Sequence, residues 1–252
     1  MKLENMCWPQ VSEYFKKKDT VVISLGSIEN HGPHLCLGTD YLVPQKLVDM
    51  LDKKLDVLFT PTMPFGNADH HMAFPGTITL GDDGLYMVLR GIVESLYVHG
   101  ARRFVFLNGH GGNINAMAKV GAELNRLGAI SAILNWWLIA PALNPDWAGG
   151  HASGQETSAV MAINENCVNL SALEGFSFNP LSETLPADSL STVKFKGVSV
   201  SVPRSVDKVT ITGWCGPDSP KDASAAKGKE MLEAVADFAA DFISEFEKAE
   251  IK

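Results

Sequence analysis

Residues 20–40 read TVVISLGSIENHGPHLCLGTD, an apolar run that breaks at Gly26 into a loop carrying Glu29, His31, His34 and Asp40. The run Thr20–Leu25 is short, rich in β-branched residues and bounded by a turn signal, which reads as a buried strand. Three more runs have this character, at 57–61, 103–107 and 130–137. Between them, segments 41–55, 85–98 and 114–127 repeat apolar residues at helical spacing. Strands alternating with helices predict βαβ units, a mostly parallel sheet and helices on both faces.

Beyond these units, 193–203 alternates in part and predicts a later strand or hairpin arm. Segment 176–190 is rich in Pro, Ser and Asn and predicts a surface loop. Segment 221–248 predicts a long amphipathic helix with Met231, Leu232, Val235, Phe238, Ala239, Phe242 and Ile243 as its core stripe. No repeat or linker divides the 252 residues, so one domain is expected over 1–252.

Composition narrows the function classes. Hydrophobic residues are 46% and charged residues 20%, an ordinary globular balance. A net charge of -8 without a basic run argues against nucleic acid and anionic membranes as partners. The N-terminal segment MKLENMCWPQVSEYF lacks the apolar core of a secretion signal, and the four cysteines form no CxxC pair. A cytoplasmic chain with reduced thiols is the expectation.

The seven histidines are unevenly placed. Glu29 and His31 follow the first strand, and strand C-terminal ends are where open α/β sheets place their sites. Two apart in an extended segment, they point the same way, and Asp40 can return to them. Two carboxylates and an imidazole suit Zn, Mn or Fe. The same residues also fit a helix N-cap at Asp40 and a loop hydrogen bond at His31. A second cluster, Asn108-Gly109-His110-Gly111-Gly112-Asn113, again ends an apolar run. It lacks the lysine and glycine order of a phosphate loop and better suits a projecting metal-ligating histidine. A third, 149–158, reads GGHASGQETS. There Ser153 and Glu156 have capping-box spacing, while His151 and Glu156 also suit a proton carrier and a metal ligand. A fourth, 69–77, places His70 and His71 beside a Pro-Gly turn, for ligand support or substrate contact. Trp136, Trp137 and Trp147 could wall a pocket for a small ring, or pack in the core.

These four segments, in this order, resemble the creatininase (creatinine amidohydrolase) family, through GSIENHGPHLCLGTD, HHMAFPGT, NGHGGN and HASGQETS. The resemblance runs from about Val22 to Ser158, with a weaker echo between Thr212 and Gly228. It implies a three-layer α/β/α sandwich, two divalent metal ions per subunit and a homo-oligomer, a hexamer by family resemblance. Carried over by motif, Glu29 and His110 hold one metal and His31 the other, with Asp40 bridging and His151 as the catalytic histidine. Creatininase itself has a metal-binding glutamate two residues after the NGH histidine. Here that residue is Gly112, and Glu156 becomes the candidate to complete the coordination. The HGGN form resembles instead a formyl-pyrimidine deformylase and an inositol-derived diketone hydrolase, which points away from creatinine. His34, His71, Gly111, Gly112, Asn113 and Trp147 are the candidates for substrate contact or support. The implied chemistry is water attack on a small molecule's carbonyl, cleaving a cyclic amide or formamide. Alternatives are C–C hydrolysis of a cyclic diketone on the same site, and a binding protein without catalysis.

Overall fold

The structure is a computed structural model and describes residues 1–251. Four strands, β1 (Thr20–Leu25), β2 (Leu58–Phe59), β3 (Arg103–Asn108) and β4 (Ile130–Asn135), form one parallel sheet in the order β2-β1-β3-β4. Five helices run between or beside them: α1 (Trp8–Phe15), α2 (Thr39–Leu51), α3 (Gly81–Val98), α4 (Ile114–Arg126) and α5 (Trp136–Leu143). Next come α6 (Gly154–Ile163), the hairpin β5 (Thr192–Phe195) and β6 (Val198–Ser201), α7 (Val206–Val209) and α8 (Ala225–Phe246).

Alternation along the strands builds a core on each face. Val22, Val105, Leu107 and Leu134 pack with Leu47, Trp136, Met231 and Val235 of α2, α5 and α8. Val21, Ile23, Leu25, Phe104 and Phe106 pack with Leu85, Leu89, Met117 and Val120 of α3 and α4. The expected α/β/α layering with a parallel sheet is therefore present. No helix among the described residues is long and apolar enough to cross a membrane.

Several boundaries differ from the sequence reading. The run expected at 57–61 is paired as a strand only at Leu58–Phe59. The run 130–137 ends as a strand at Asn135, whose side-chain oxygen accepts a hydrogen bond from Asn108 Nδ2 at 2.8 Å. Trp136 and Trp137 instead begin α5. Helix α3 starts four residues before the expected 85, at Gly81, with Asp82 and Asp83 in its first turn beside the positive helix end. Segment 193–203 supplies both arms of one antiparallel hairpin, turned at Lys196 and Gly197, both at positive φ. In α8, Phe238 is 39% exposed, and Ala236 and Ala240 are buried in its stripe instead.

The sheet order places the loop after β1 beside the loop after β3, since Leu25 and Asn108 are paired at the strand ends. The chain leaves β1 toward one edge of the sheet and reaches β3 on the other side of β1, so this crevice is the switch point of the topology. Helix α6 is held toward it by α8, where Gly228 lies so close that an added Cβ would overlap the Ser158 carbonyl oxygen. Gly228→Ala is therefore expected to destabilise the chain by about 1–3 kcal/mol. At roughly 2–4 °C per kcal/mol for a chain of this size, a thermal melt should show the drop. An unchanged midpoint would mean that the α6–α8 approach is not tight.

Candidate metal centre and active site

The crevice is stitched by two asparagines. Asn108 Nδ2 donates to the His110 carbonyl at 2.8 Å, and Asn108 Oδ1 accepts from the His110 amide at 3.1 Å. Asn113 Nδ2 donates to the Gly26 carbonyl and Asn113 Oδ1 accepts from the Asn67 amide, each at 3.1 Å. The loops after β1 and β3 and the segment at 67 are thereby fixed to one another, leaving little freedom to the side chains they carry.

Into this frame project Glu29, His31, Asp40, His110 and Glu156, all buried. Asp40 is the second residue of α2, and Gly38 rather than Asp40 caps that helix. Its carboxylate instead faces His31 Nε2 at 3.1 Å through Oδ1 and His110 Nδ1 at 2.9 Å through Oδ2. Glu29 Oε2 lies 3.0 Å from His110 Nε2 and accepts from Ser27 Oγ at 2.9 Å. Glu156 Oε2 lies 3.5 Å from His31 Nε2. It accepts from the Ala152 amide at 2.6 Å, while Ser153 Oγ turns back to Gly150. Neither half of a capping box forms, and α6 is capped instead by Asp218, which accepts from the Gln155 amide at 2.6 Å.

The imidazoles share one arrangement. His31 Nδ1 is 3.1 Å from the Glu29 carbonyl, His110 Nε2 is 2.8 Å from the Asn67 carbonyl, and His151 Nε2 is 2.8 Å from the Asn30 carbonyl. A main-chain carbonyl only accepts, so each of these nitrogens is an N–H donor, and the other nitrogen turns toward the carboxylates, although His110 Nε2 also lies beside Glu29. Carbonyl-anchored imidazoles of this kind are the usual support of metal-ligating histidines.

Three carboxylates are thus buried together, and among the described residues no lysine or arginine pairs with any of them. Glu29 Oε1 is buried with no hydrogen-bond partner. With protein groups alone, burial pushes Glu29 up to about 8 and Glu156 up to about 7. Burial also opposes ionisation of Asp40, but the charge of His31 and hydrogen bonds from His110 and His31 outweigh it and hold the carboxyl far below its usual range. Burial disfavours imidazolium at His31 and His110, yet the adjoining carboxylates raise them to about 10 and about 9. Such a knot of buried charge is what bound cations compensate. Three donor triads have their ligand atoms within 4.8 Å of one another: two share Asp40, namely Glu29, Asp40 and His110, and His31, Asp40 and Glu156, and the third joins Glu29, His31 and His151. The residues present therefore fit divalent-metal binding.

His151 and His71 behave differently. Burial, then the charge of His31, drives both below the ordinary histidine range, His71 to about 3. His151 lies against His31 at a centroid distance of 4.4 Å with the ring planes tilted by 39°, and its Nδ1 is 4.0 Å from Glu29 Oε1. It is thus a neutral imidazole over the carboxylates. All of these groups except His31 line a cavity of about 450 Å³, with Gly111 and Gly112 on one wall. A Cβ at Gly112 would overlap the Asn67 carbonyl oxygen and crowd His110 Nε2, so this backbone leaves no room for a glutamate there.

Three of the residues expected in substrate contact or support do not line the cavity. His34 is behind the site, 3.3 Å from Thr157 Oγ1, and burial lowers its pKa to about 4, so it supports α6 rather than touching the cavity. Asn113 is fully buried as the stitch described above. Trp147 packs in the core and offers its carbonyl to Gln155 Nε2 at 2.7 Å, whereas Trp137 takes the wall position. The reason is local: α5 turns successive residues about 100° apart rather than to opposite faces, sending Trp136 to the core and Trp137 to the cavity. The cavity also includes Asn67, Gln155 and Arg204, which the sequence reading missed. Gln155 lies inside the recognised stretch 149–158 and Asn67 two residues before Asp69, whereas Arg204 belongs to no recognised motif.

The chain is 29% identical over 233 residues to the mycofactocin precursor peptide peptidase of Mycolicibacterium smegmatis, covering 90% of this chain and 85% of the relative. It is 27% identical over 171 residues to the 3-dehydro-scyllo-inosose hydrolase of Thermotoga maritima, covering 64% of this chain and 55% of that protein. A crystal structure of creatinine amidohydrolase (creatininase) superposes with a TM-score of 0.76 at 23% identity, over 99% of this chain and 98% of that one, which shows a shared fold. Residues 4–243 match the family described as Creatininase: Creatinine amidohydrolase. The chain belongs to the creatininase family of hydrolases.

Proposed function

We propose that the chain is a metal-dependent hydrolase cleaving a C–N amide bond of a small molecule: a cyclic amide, a formamide or a short peptide. The observation that carries this is a neutral His151 set against two candidate cation-binding triads in one cavity. Glu29, Asp40 and His110 would hold one ion and His31, Asp40 and Glu156 the other. This set of carboxylates and imidazoles suits Zn, Mn or Fe. Bound cations supply Lewis acidity toward a carbonyl and bring the ionisation of water from about 15.7 to near 7.

The protein's own part is positional. Asn30 fixes the tautomer of His151, so Nδ1 is the basic nitrogen and faces Glu29. It can take a proton there and deliver it to a departing amide nitrogen. Trp137, Gly111 and Gly112 shape the wall against which the substrate lies. The peptidase relative supports the amide reading. C–C hydrolysis of a cyclic diketone is the second reading, favoured by the Thermotoga relative. Four free cysteines suit a reducing cytoplasm, and a homo-oligomeric assembly follows from family resemblance. A panel of cyclic amides, formamides, short peptides and cyclic diketones, assayed before and after chelation, tests the proposal. Cleavage of the diketones alone would favour the second reading. Tight metal binding with no turnover of any panel member would favour a binding protein.

Two sets of variants check the roles. Asp40→Ala should lower occupancy of both cation positions, while His110→Ala and Glu156→Gln should each lower chiefly one. Metal analysis after refilling reads this directly, and undiminished stoichiometry in Asp40→Ala would remove the shared ligand. His151→Gln should keep the metal content and lose about 10²–10⁴ in kcat. Loss of a cation in that variant would make His151 a ligand rather than a proton carrier.

A further inference from the structure

Arg204 is the one lysine or arginine among the residues lining the active cavity. It sits between β6 and α7, in a segment held down at several points. Val206 is buried, Ser205 Oγ donates to the Asp207 carboxylate and lies 3.4 Å from the His70 carbonyl, and α7 packs on the turn at Asp69–His71. The guanidinium is therefore carried on anchored backbone. Its Nε is buried without a hydrogen-bond partner. Among the described residues no carboxylate forms an ion pair with it, and the neighbouring Asp207 is engaged by Lys208 at 3.2 Å. A buried guanidinium N–H without an acceptor is costly, and an anionic oxygen is the acceptor that best matches its charge. The acidic groups of the cavity wall, Glu29, Asp40 and Glu156, are already committed to the cation triads.

The geometry points to Arg204 as the residue that binds a carboxylate of the substrate, from a wall segment between β6 and α7 that carries none of the cation ligands. The planar fork of arginine receives a carboxylate through two parallel hydrogen bonds, which a lysine cannot reproduce. The substrate class narrows accordingly to amides bearing a free carboxylate, such as an N-acyl amino acid or a short peptide with a free C-terminus. The assignment of this anion as substrate rests on the amide-hydrolase reading, whereas anion binding by Arg204 does not.

The test is calorimetric binding to the zinc-loaded protein, with two acid/amide pairs as probes. One pair is N-acetylglycine and N-acetylglycinamide. The other is N-acetylglycylphenylalanine and its C-terminal amide. The parent should bind the acid of at least one pair about tenfold or more tightly than its amide, the size of a charged hydrogen bond. Which pair shows the preference distinguishes a small acyl acid from a peptide end. Arg204→Gln should bind acid and amide alike, with affinity for the amide, metal content and thermal midpoint unchanged. Arg204→Lys should keep part of the preference and decides the matter if the glutamine variant does not fold. Equal binding of acid and amide by the parent, a preference that survives in Arg204→Gln, or no binding of either pair at millimolar concentration would each overturn the assignment. Cleavage followed on the same samples separates the two readings. Acid preference without turnover would retain Arg204 and remove the hydrolase reading for these amides. Turnover indifferent to the carboxylate would do the reverse.

Discussion

Three carboxylates, from Glu29, Asp40 and Glu156, are buried within reach of the same two imidazoles, His31 and His110. Removing so much charge from water is tolerable only when counter-charge is supplied inside. No lysine or arginine supplies it here among the described residues, and with protein groups alone the counter-charge is imidazolium at His31 and His110, which, against the cost of burial, the adjoining carboxylates raise to about 10 and about 9. Divalent cations meet the requirement with the donor types present. Much of the surrounding architecture serves to keep these side chains where they would otherwise repel one another.

The parallel sheet provides that support. Residues from the ends of β1 and β3 are neighbours because the strands are neighbours, and the order β2-β1-β3-β4 opens a crevice between them. Asn108 and Asn113 then tie the loop backbones together, and main-chain carbonyls of Glu29, Asn30 and Asn67 orient three imidazoles. Glu156 arrives from a distant stretch of chain, on a helix whose start is capped by Asp218 and whose body is packed against α8. His151 precedes Ala152, which has a φ of 55°, a strained conformation at a residue flanking the site.

The sequence made the parallel units and the donor set legible for a simple physical reason. Buried strands are continuous apolar runs, and a polar cluster immediately after such a run lies at a strand end by construction. Glu29, His31 and His110 could be found this way. Glu156 had two readings with the same spacing, and only the positions of Ser153 Oγ and the Ala152 amide separate them. Trp137 was obscured because the change from β4 to α5 falls inside one apolar stretch, with no glycine or proline at the change. Arg204 carries no local pattern at all. It reaches the cavity through a long-range packing of α7 on the turn at Asp69–His71, which periodicity does not encode.

The central claim is that this knot of buried charge is a pair of cation positions sharing Asp40. Metal analysis of the purified parent, stripped with chelator, refilled with excess zinc or manganese and freed of unbound ion, addresses it most directly. The account predicts two ions per chain. One ion per chain would contradict the shared pair, and none would contradict the metal centre altogether.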